Sequence, residues 1–369
     1  MQAEVKVLHI ITNLGQGGAE RQLLELLDEN KSHEVCQLLS KGYYDKYLRD
    51  RGRKIYNLNM RRKIPDIRAF YKLDRVISIS KPEIIHCWMY HSCLLEALLR
   101  KFGRNKNIPV VWGLRCSNMD TKYYSFQLNL IIKACRFFSY KPNIIINNSY
   151  IGKNVHDKLG FTKNSIVIPN GIDTKKFSPN KKNRSTFRKR FNIPNTTKVL
   201  LCVARVDPMK DHQTLLIAYS KIKLLFPNII LILAGLGTEQ FINEGKVIAL
   251  GLYKNINEVY SASDIIISSS AFGEGFSNAI GEGMASGLVP VSTDVGDARR
   301  IIANTGKIIP IRDDNKMYKA IKDIINYNDK DLSNKKNDAR SRIIENYSKA
   351  KMVVNYNNIY KSVLIGLGK

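Results

Sequence analysis

Glu274 and Glu282 stand eight positions apart within Ser268–Arg299, a stretch that reads SSSAFGEGFSNAIGEGMASGLVPVSTDVGDAR. The apolar run Asp264–Ser268 predicts a strand, the glycine-rich residues after it a loop, and Asn278 onward a helix closed by Gly287 before a second strand at Val289–Ser292. Glu274 then falls in the loop at the strand's C-terminal edge and Glu282 about a turn into the helix, so both can face the crevice where open α/β sheets bind ligands. Between them, the backbone N–H groups of Gly275, Phe276, Ser277 and Asn278 lie at a helix N-terminus, where unpaired donors and the helix dipole favour an anion such as a phosphate. The small residues Gly281, Gly283, Ala285, Ser286 and Gly287 let a bulky ligand or a strand come close to that helix. The expectation is a nucleotide-sugar site; the plain alternative is a surface loop with two solvated glutamates.

Other residues join this one by their position at predicted strand ends. Val5–Thr12 reads as a buried first strand, and the turn Asn13–Glu20 after it places Gly17 and Gly18 where glycine backbone can approach a phosphate. As a dinucleotide fingerprint the turn fails, because the position three past Gly17 is Glu20. Pro82–His91 predicts a strand running into a loop that ends in His91, and Pro109–Arg115 repeats the pattern with Arg115 at a strand end, both side chains aimed toward an interdomain crevice. His91 can hydrogen-bond a donor-sugar or acceptor hydroxyl; a structural histidine is the alternative. In the second half, Lys198–Val203 predicts a strand followed by Arg205, with Lys210 opening the next helix, and Asn228–Ala234 runs into a ligand-facing turn at Gly235-Leu-Gly237.

The run E-G-F-S-N-A-I-G-E-G-M-A-S-G, followed by V-P-V-S-T-D-V-G-D, resembles the E-x7-E segment of retaining, GT-B-fold glycosyltransferases that build bacterial capsule, O-antigen and exopolysaccharide. The resemblance implies an α/β GT-B architecture of two Rossmann-like domains whose parallel sheets face a central cleft: residues 1–170 binding acceptor, 171–345 binding the nucleotide sugar, and a helix over 346–369 returning to the first domain. It implies Glu274 at the donor sugar, Glu282 at the ribose hydroxyls, and the backbone of Gly17 and Gly18 facing the donor diphosphate. Arg205, and Lys210 five residues on, match the family's diphosphate-gripping pair, and two fixed cations would stabilise charge as it develops on a departing nucleoside diphosphate. Asn170, in the hinge-like I-P-N-G-I-D, joins the donor-binding group with Arg115, Gly235 and Gly237. Three departures stand out: Gly283 where relatives carry Ala, at up to ~1 kcal/mol of helix propensity; Leu236 where they carry an acid; and Arg115 where many carry His, so that the imidazole's role does not transfer. No second catalytic carboxylate is evident and Glu274 is not assigned as a covalent nucleophile. No cofactor and no essential metal are expected, since the D-x-D spacing of Asp329-Lys-Asp331 falls in a polar, Lys-rich stretch read as a loop.

The totals bound the partners. A chain of 369 residues exceeds one core, and 44% apolar with 25% charged residues is the balance of a globular protein. The net charge of +27 calls for a negative partner: phospholipid, a diphosphate-bearing substrate or nucleic acid. Lysine and arginine outnumber acids by 30 to 15 in residues 1–178 and by 29 to 17 beyond, so the charge belongs to the folded body. Arg49–Lys54 and Arg61–Lys63 hold seven positive charges against one acid, and Arg100–Arg104 and Lys133–Lys141 set basic residues beside aromatic ones. These read either as solvated faces or as contacts with an anionic inner-membrane surface. The six cysteines lack a C-x-x-C pair and read as reduced core thiols, and no apolar run reaches the ~18–20 residues of a membrane span. The expected protein is cytoplasmic and peripheral at the inner membrane. It would move a hexosyl or N-acetylhexosaminyl group, with uridine diphosphate the expected carrier, to a saccharide or polyprenyl-diphosphate-linked acceptor. The rival readings are a sugar-nucleotide 2-epimerase of similar architecture and a nucleic-acid-binding protein. The latter lacks zinc spacing, an RNA-binding aromatic signature or a recognition helix, so no nucleic-acid partner is expected.

Overall fold

Short, continuous apolar runs separated by helical segments pair as parallel strands buried on both faces, and the computed structural model shows two such sheets. It describes residues 4–60, 67–102, 106–117, 126–161, 164–242 and 247–366. Contacts divide the chain into one unit of Met1–Gly171 with Ala350–Lys369 and a second of Ile172–Lys349.

In the first unit the order is β1 (Val7–Ile11), α1 (Gly18–Glu29), β2 (Glu34–Gln37), α2 (Asp45–Arg49), β3 (Ile55–Asn57) and α3 (Ile67–Ser80). There follow β4 (Ile84–Trp88), α4 (Met89–Phe102), β5 (Val110–Leu114), α5 (Phe126–Phe138), β6 (Ile144–Asn147), α6 (Tyr150–Lys158) and β7 (Ser165–Val167). The second unit continues with α7 (Lys181–Arg190), β8 (Val199–Val203), α8 (His212–Leu225), β9 (Ile230–Ala234), β10 (Val247–Ala249), α9 (Ile256–Ala262) and β11 (Ile265–Ser268). It ends with α10 (Asn278–Ala285), β12 (Val289–Thr293), α11 (Ala298–Ile302), β13 (Lys307–Ile309), α12 (Asp314–Ile325) and α13 (Asp329–Tyr347), before α14 (Lys349–Ile365). The strand orders are β3-β2-β1-β4-β5-β6-β7 and β10-β9-β8-β11-β12-β13, with every pairing parallel. Each order reverses once, between β1 and β4 and between β8 and β11, and such switch points are where open α/β sheets take ligands at the strands' C-terminal ends.

Helix α14 buries Met352, Val353, Tyr356 and Tyr360 in the same apolar cluster as β1 and α1 of the first unit. In that unit Gln22 brackets Gly171, its Nε2 donating to the carbonyl oxygen at 3.1 Å and its Oε1 accepting from the N–H at 2.7 Å. Beyond it, Ile172 forms a parallel bridge with Ser348 inside the second unit.

The structure corrects two local readings. Asp329 and Asp331 do not lie in a loop. They open the 19-residue helix α13, whose N-cap Asn328 accepts from the Asp331 N–H at 2.8 Å. His91 likewise belongs to the first turn of α4, because the helix begins directly at Met89, which takes the left-handed φ of 67°. All six cysteines are free and buried, and burial pushes the thiols of Cys36, Cys135 and Cys202 up to about 12. Among the described residues no helix is long and apolar enough to cross a membrane. Arg61–Lys63 and Gly103–Arg104 lie outside the described residues.

Candidate active site

In the second unit the two loops flanking the switch point meet. The loop after β8 carries Arg205 through Lys210; the loop after β11 carries Ser269 through Ser277. Asp207 shapes the first of these. Its Oδ2 accepts from Arg205 Nε at 3.1 Å and from a terminal guanidinium nitrogen at 2.9 Å, while its Oδ1 caps the turn Pro208–Lys210 by accepting from the Met209 N–H at 2.9 Å. Asp211 then takes a left-handed φ of 45° and turns the chain into α8. Ser269 Oγ ties the two loops by donating to the Lys210 carbonyl oxygen at 2.8 Å.

This brings Lys210 Nζ into an ion pair with Glu274 Oε1, which also accepts from Ser270 Oγ at 2.9 Å. Burial by itself would raise the Glu274 carboxyl. The Lys210 ammonium, the Ser270 hydroxyl and the Arg205 charge outweigh it and hold the group below the usual carboxylate range. Lys210, Glu274 and Ser277 line a small cavity with Cys202 and Ser268–Ser270, at the C-terminal ends of β8 and β11. Ser277 is the N-cap of α10, so the helix N-terminus opens beside the carboxylate.

Close approach explains the glycines nearby. A Cβ on Gly235, which has a φ of 144°, would lie 2.3 Å from the Ala204 carbonyl oxygen and 2.8 Å from the Arg205 nitrogen, so only glycine lets the β9 turn pass the strand-end arginine. Gly237 also has a positive φ, of 84°. A Cβ on Gly283 would lie 2.7 Å from the Ile266 Cβ, so the residue that weakens α10 by propensity also lets it sit directly on β11. Gly275 is fixed by its carbonyl oxygen, which accepts from the Asp297 N–H at 2.9 Å.

The other predicted site residues have their own surroundings. Phe276 is a core side chain whose ring meets Tyr347 edge-on at 5.3 Å. Glu282 is buried in α10 and accepts from Tyr260 Oη at 2.9 Å; it is not among the residues lining the cavity beside Glu274. In the first unit, Gly17 is the N-cap of α1, where a Cβ would lie 2.3 Å from Glu20 Oε2. Burial raises the Glu20 carboxyl, opposed by its own backbone N–H and by Arg115. The chain's own carboxylate thus sits at the helix end expected to face a phosphate, beside Gly17 and Gly18. Arg115 is buried, with its guanidinium donating to Asn170 Oδ1 and, at 2.8 Å, to Tyr356 Oη, and lying 4.8 Å from the Trp88 ring centre. Arg115 and Asn170 therefore join the hinge segment to α14 within their unit. His91 is exposed.

Two contributors carry no sequence signal of their own. Ser270 was hidden in the run S-S-S, and only its side-chain direction separates it from its neighbours. Gln37, buried at the end of β2, accepts from the Leu14 N–H at 2.7 Å and donates to Asp45 at 2.7 Å and Asn57 at 2.9 Å, so it fixes the start of the Gly17 turn. Among the described residues no group of three or more His, Cys, Asp or Glu side chains is arranged to hold a metal ion.

Two family models match the chain in tandem: "Glycosyltransferase Family 4" over residues 16–176 and "Glycosyl transferases group 1" over residues 183–347. The chain is 23% identical over 377 residues to the Campylobacter jejuni N-acetylgalactosamine-N,N'-diacetylbacillosaminyl-diphospho-undecaprenol 4-alpha-N-acetylgalactosaminyltransferase, covering 90% of this chain and 93% of that one. It is 22% identical over 392 residues to the Escherichia coli UDP-Gal:alpha-D-GlcNAc-diphosphoundecaprenol alpha-1,3-galactosyltransferase, covering 98% of both. Among solved structures, Anabaena Alr3699/HepE in complex with UDP superposes with a TM-score of 0.85 at 17% identity, over 97% of this chain and all of that one.

Proposed function

Given that this chain is a glycosyltransferase of the GT-B fold, we propose that it moves a hexosyl or N-acetylhexosaminyl group from a uridine-diphosphate sugar to a lipid-linked saccharide, with retention at the anomeric carbon, in the assembly of a bacterial surface polysaccharide. The observation that carries this reading is the placement of Lys210 and Glu274 from opposite sides of the β8/β11 switch point, with Arg205 at the end of β8. Two lines support the donor and acceptor: relatives spanning nearly the whole chain are named for transfer onto diphospho-undecaprenol-linked sugars, and a similar fold was solved with UDP.

As the glycosidic bond breaks, the departing nucleoside diphosphate gains negative charge. Arg205 and Lys210 are cations already fixed where that charge develops, so they need little reorganisation in the transition state. Arg205 presents a planar fork aimed by Asp207. The N-terminus of α10 adds backbone donors beside Glu274. Glu274, kept ionised by Lys210 and Ser270, would accept hydrogen bonds from donor-sugar hydroxyls and stabilise positive charge building at the anomeric carbon. The acceptor hydroxyl arrives on the face the diphosphate leaves, which gives retention without a covalent sugar-enzyme intermediate. Glu282 is proposed for the ribose hydroxyls; its Oε2 already accepts from Tyr260, and a carboxylate can accept further hydrogen bonds beside that one. Glu274→Ala tests the assignment. It should lower transfer at least about 10²-fold, the scale of losing one transition-state contact, while nucleotide affinity by calorimetry changes little. Wild-type turnover in that variant removes Glu274 from the site.

A further inference from the structure

We propose that the outer face of α5 is the surface by which this protein docks onto an anionic phospholipid bilayer. The helix is apolar on two sides. Ile131, Ile132, Cys135 and Phe138 pack into the core of the first unit. On the outside, Phe126 is 74% exposed, Leu130 49%, Phe137 71% and, just past the helix, Tyr140 68%. Counted from Phe126, these fall at i, i+4, i+11 and i+14, a single stripe by helical periodicity; exposed Lys133 stands within it and exposed Arg136 along its edge. Thirteen residues of helix make the stripe about 20 Å long.

Folding explains only the inner side of this helix. Large aromatic side chains left in water in a row are unfavourable unless something covers them, and the charge pattern says what. Residues 126–141 contain three basic residues and no acid, so the stripe combines apolar anchors with positive charge. That pairing suits a surface with acyl chains a few ångströms beneath a layer of phosphates. The basic stretch Arg49–Lys54 differs. Arg51 lies over the Tyr47 ring at 3.6 Å, Arg53 donates to the Asn30 carbonyl oxygen at 2.9 Å, and Lys54 lies 3.5 Å from Glu34, so much of that charge serves the unit's own surface.

The test uses the full chain without donor or acceptor, so its outcome is independent of the transferase reading. Sedimentation with phosphatidylcholine vesicles, with and without phosphatidylglycerol, should show binding only to the mixed vesicles. Lys133→Glu with Arg136→Glu should weaken it about thirtyfold or more, at roughly 1 kcal/mol per basic residue near the surface. In a Phe137→Trp variant the introduced indole should be quenched by brominated lipid, while Trp88 and Trp112, both buried, should not respond. Equal binding by wild type and the charge-reversed variant overturns the proposal. So does vesicle binding that leaves the introduced indole unquenched. A concentration-dependent dimer in light scattering that reverts to monomer in Phe137→Ser would assign the stripe to a second copy of the chain and also overturn it.

Discussion

Glu274 is held charged in a largely dry place chiefly by Lys210 and Ser270, with the Arg205 charge nearby. Its type and place at a strand end were legible in the sequence. Its partner was not, because residues 210 and 274 are brought together by the β8–β11 pairing and the bonds between the two loops, which no local pattern encodes. Arg115 shows the opposite failure: its strand-end position was read correctly, yet neighbours distant in sequence, Asn170 and Tyr356, decide what its charge does. A third group of residues carries no sequence motif at all. His9 accepts from Trp88 Nε1 at 3.0 Å through Nδ1, leaving its Nε2–H to donate to His33 Nδ1 at 3.0 Å, while His86 meets Tyr360 Oη at 2.8 Å. Protonating His9 would set N–H against N–H. Burial accordingly lowers all three imidazoles, His33 to about 3. With an unfolded value near ~6.5, the unfolded chain binds more protons between that pH and the folded values. The stabilisation is therefore complete above about pH 6.5 and is lost progressively as pH falls toward about 3. Both tryptophans, Trp88 and Trp112, belong to the first unit, so their fluorescence reports it alone. Denaturant unfolding followed by that signal should lose up to about 4 kcal/mol between about pH 7.5 and 5.5; an unchanged midpoint would contradict the neutral cluster.

Elements were legible where period and punctuation agreed. The strands β1, β8, β11 and β12 and helix α10 emerge within a residue or two of the apolar runs and glycines that predicted them, because buried parallel strands leave a continuous hydrophobic signature. Helix α13 was missed because only Leu332, Ala339 and Ile343 are buried along its 19 residues, too few to give a stripe. The start of α4 was missed because a left-handed methionine turns β4 into helix without a loop residue to announce it. Turn chemistry also leaves one element strained. Ala303, after α11, has φ 48° and ψ −120°, and the Thr305 N–H donates to the Ile302 carbonyl oxygen at 3.0 Å. This is the geometry of a type II′ turn whose first central position favours glycine. Ala303 is exposed, so nothing is lost by trimming its methyl. Ala303→Gly should raise the stability of the second unit by about 1 kcal/mol, measured as a higher denaturant midpoint by circular dichroism; a lower midpoint would mean the turn is unstrained.

At the scale of the whole chain, two parallel sheets, each with one reversal of strand order, follow from alternating strand and helix signals and the rule that such crossovers are right-handed and short. What composition conveyed was the excess of positive charge; which surface uses it came only from seeing which side chains the fold leaves outside. The central claim is chemical and has one direct measurement. Purified protein is supplied with uridine- and guanosine-diphosphate sugars in EDTA, with and without a polyprenyl-diphosphate sugar, and both nucleoside diphosphate release and the product's anomeric configuration by NMR are read. One donor giving acceptor-dependent release with retained configuration is the predicted result. Release from no donor, or a product of inverted configuration, would contradict the assignment of Arg205, Lys210 and Glu274 as a retaining transfer site.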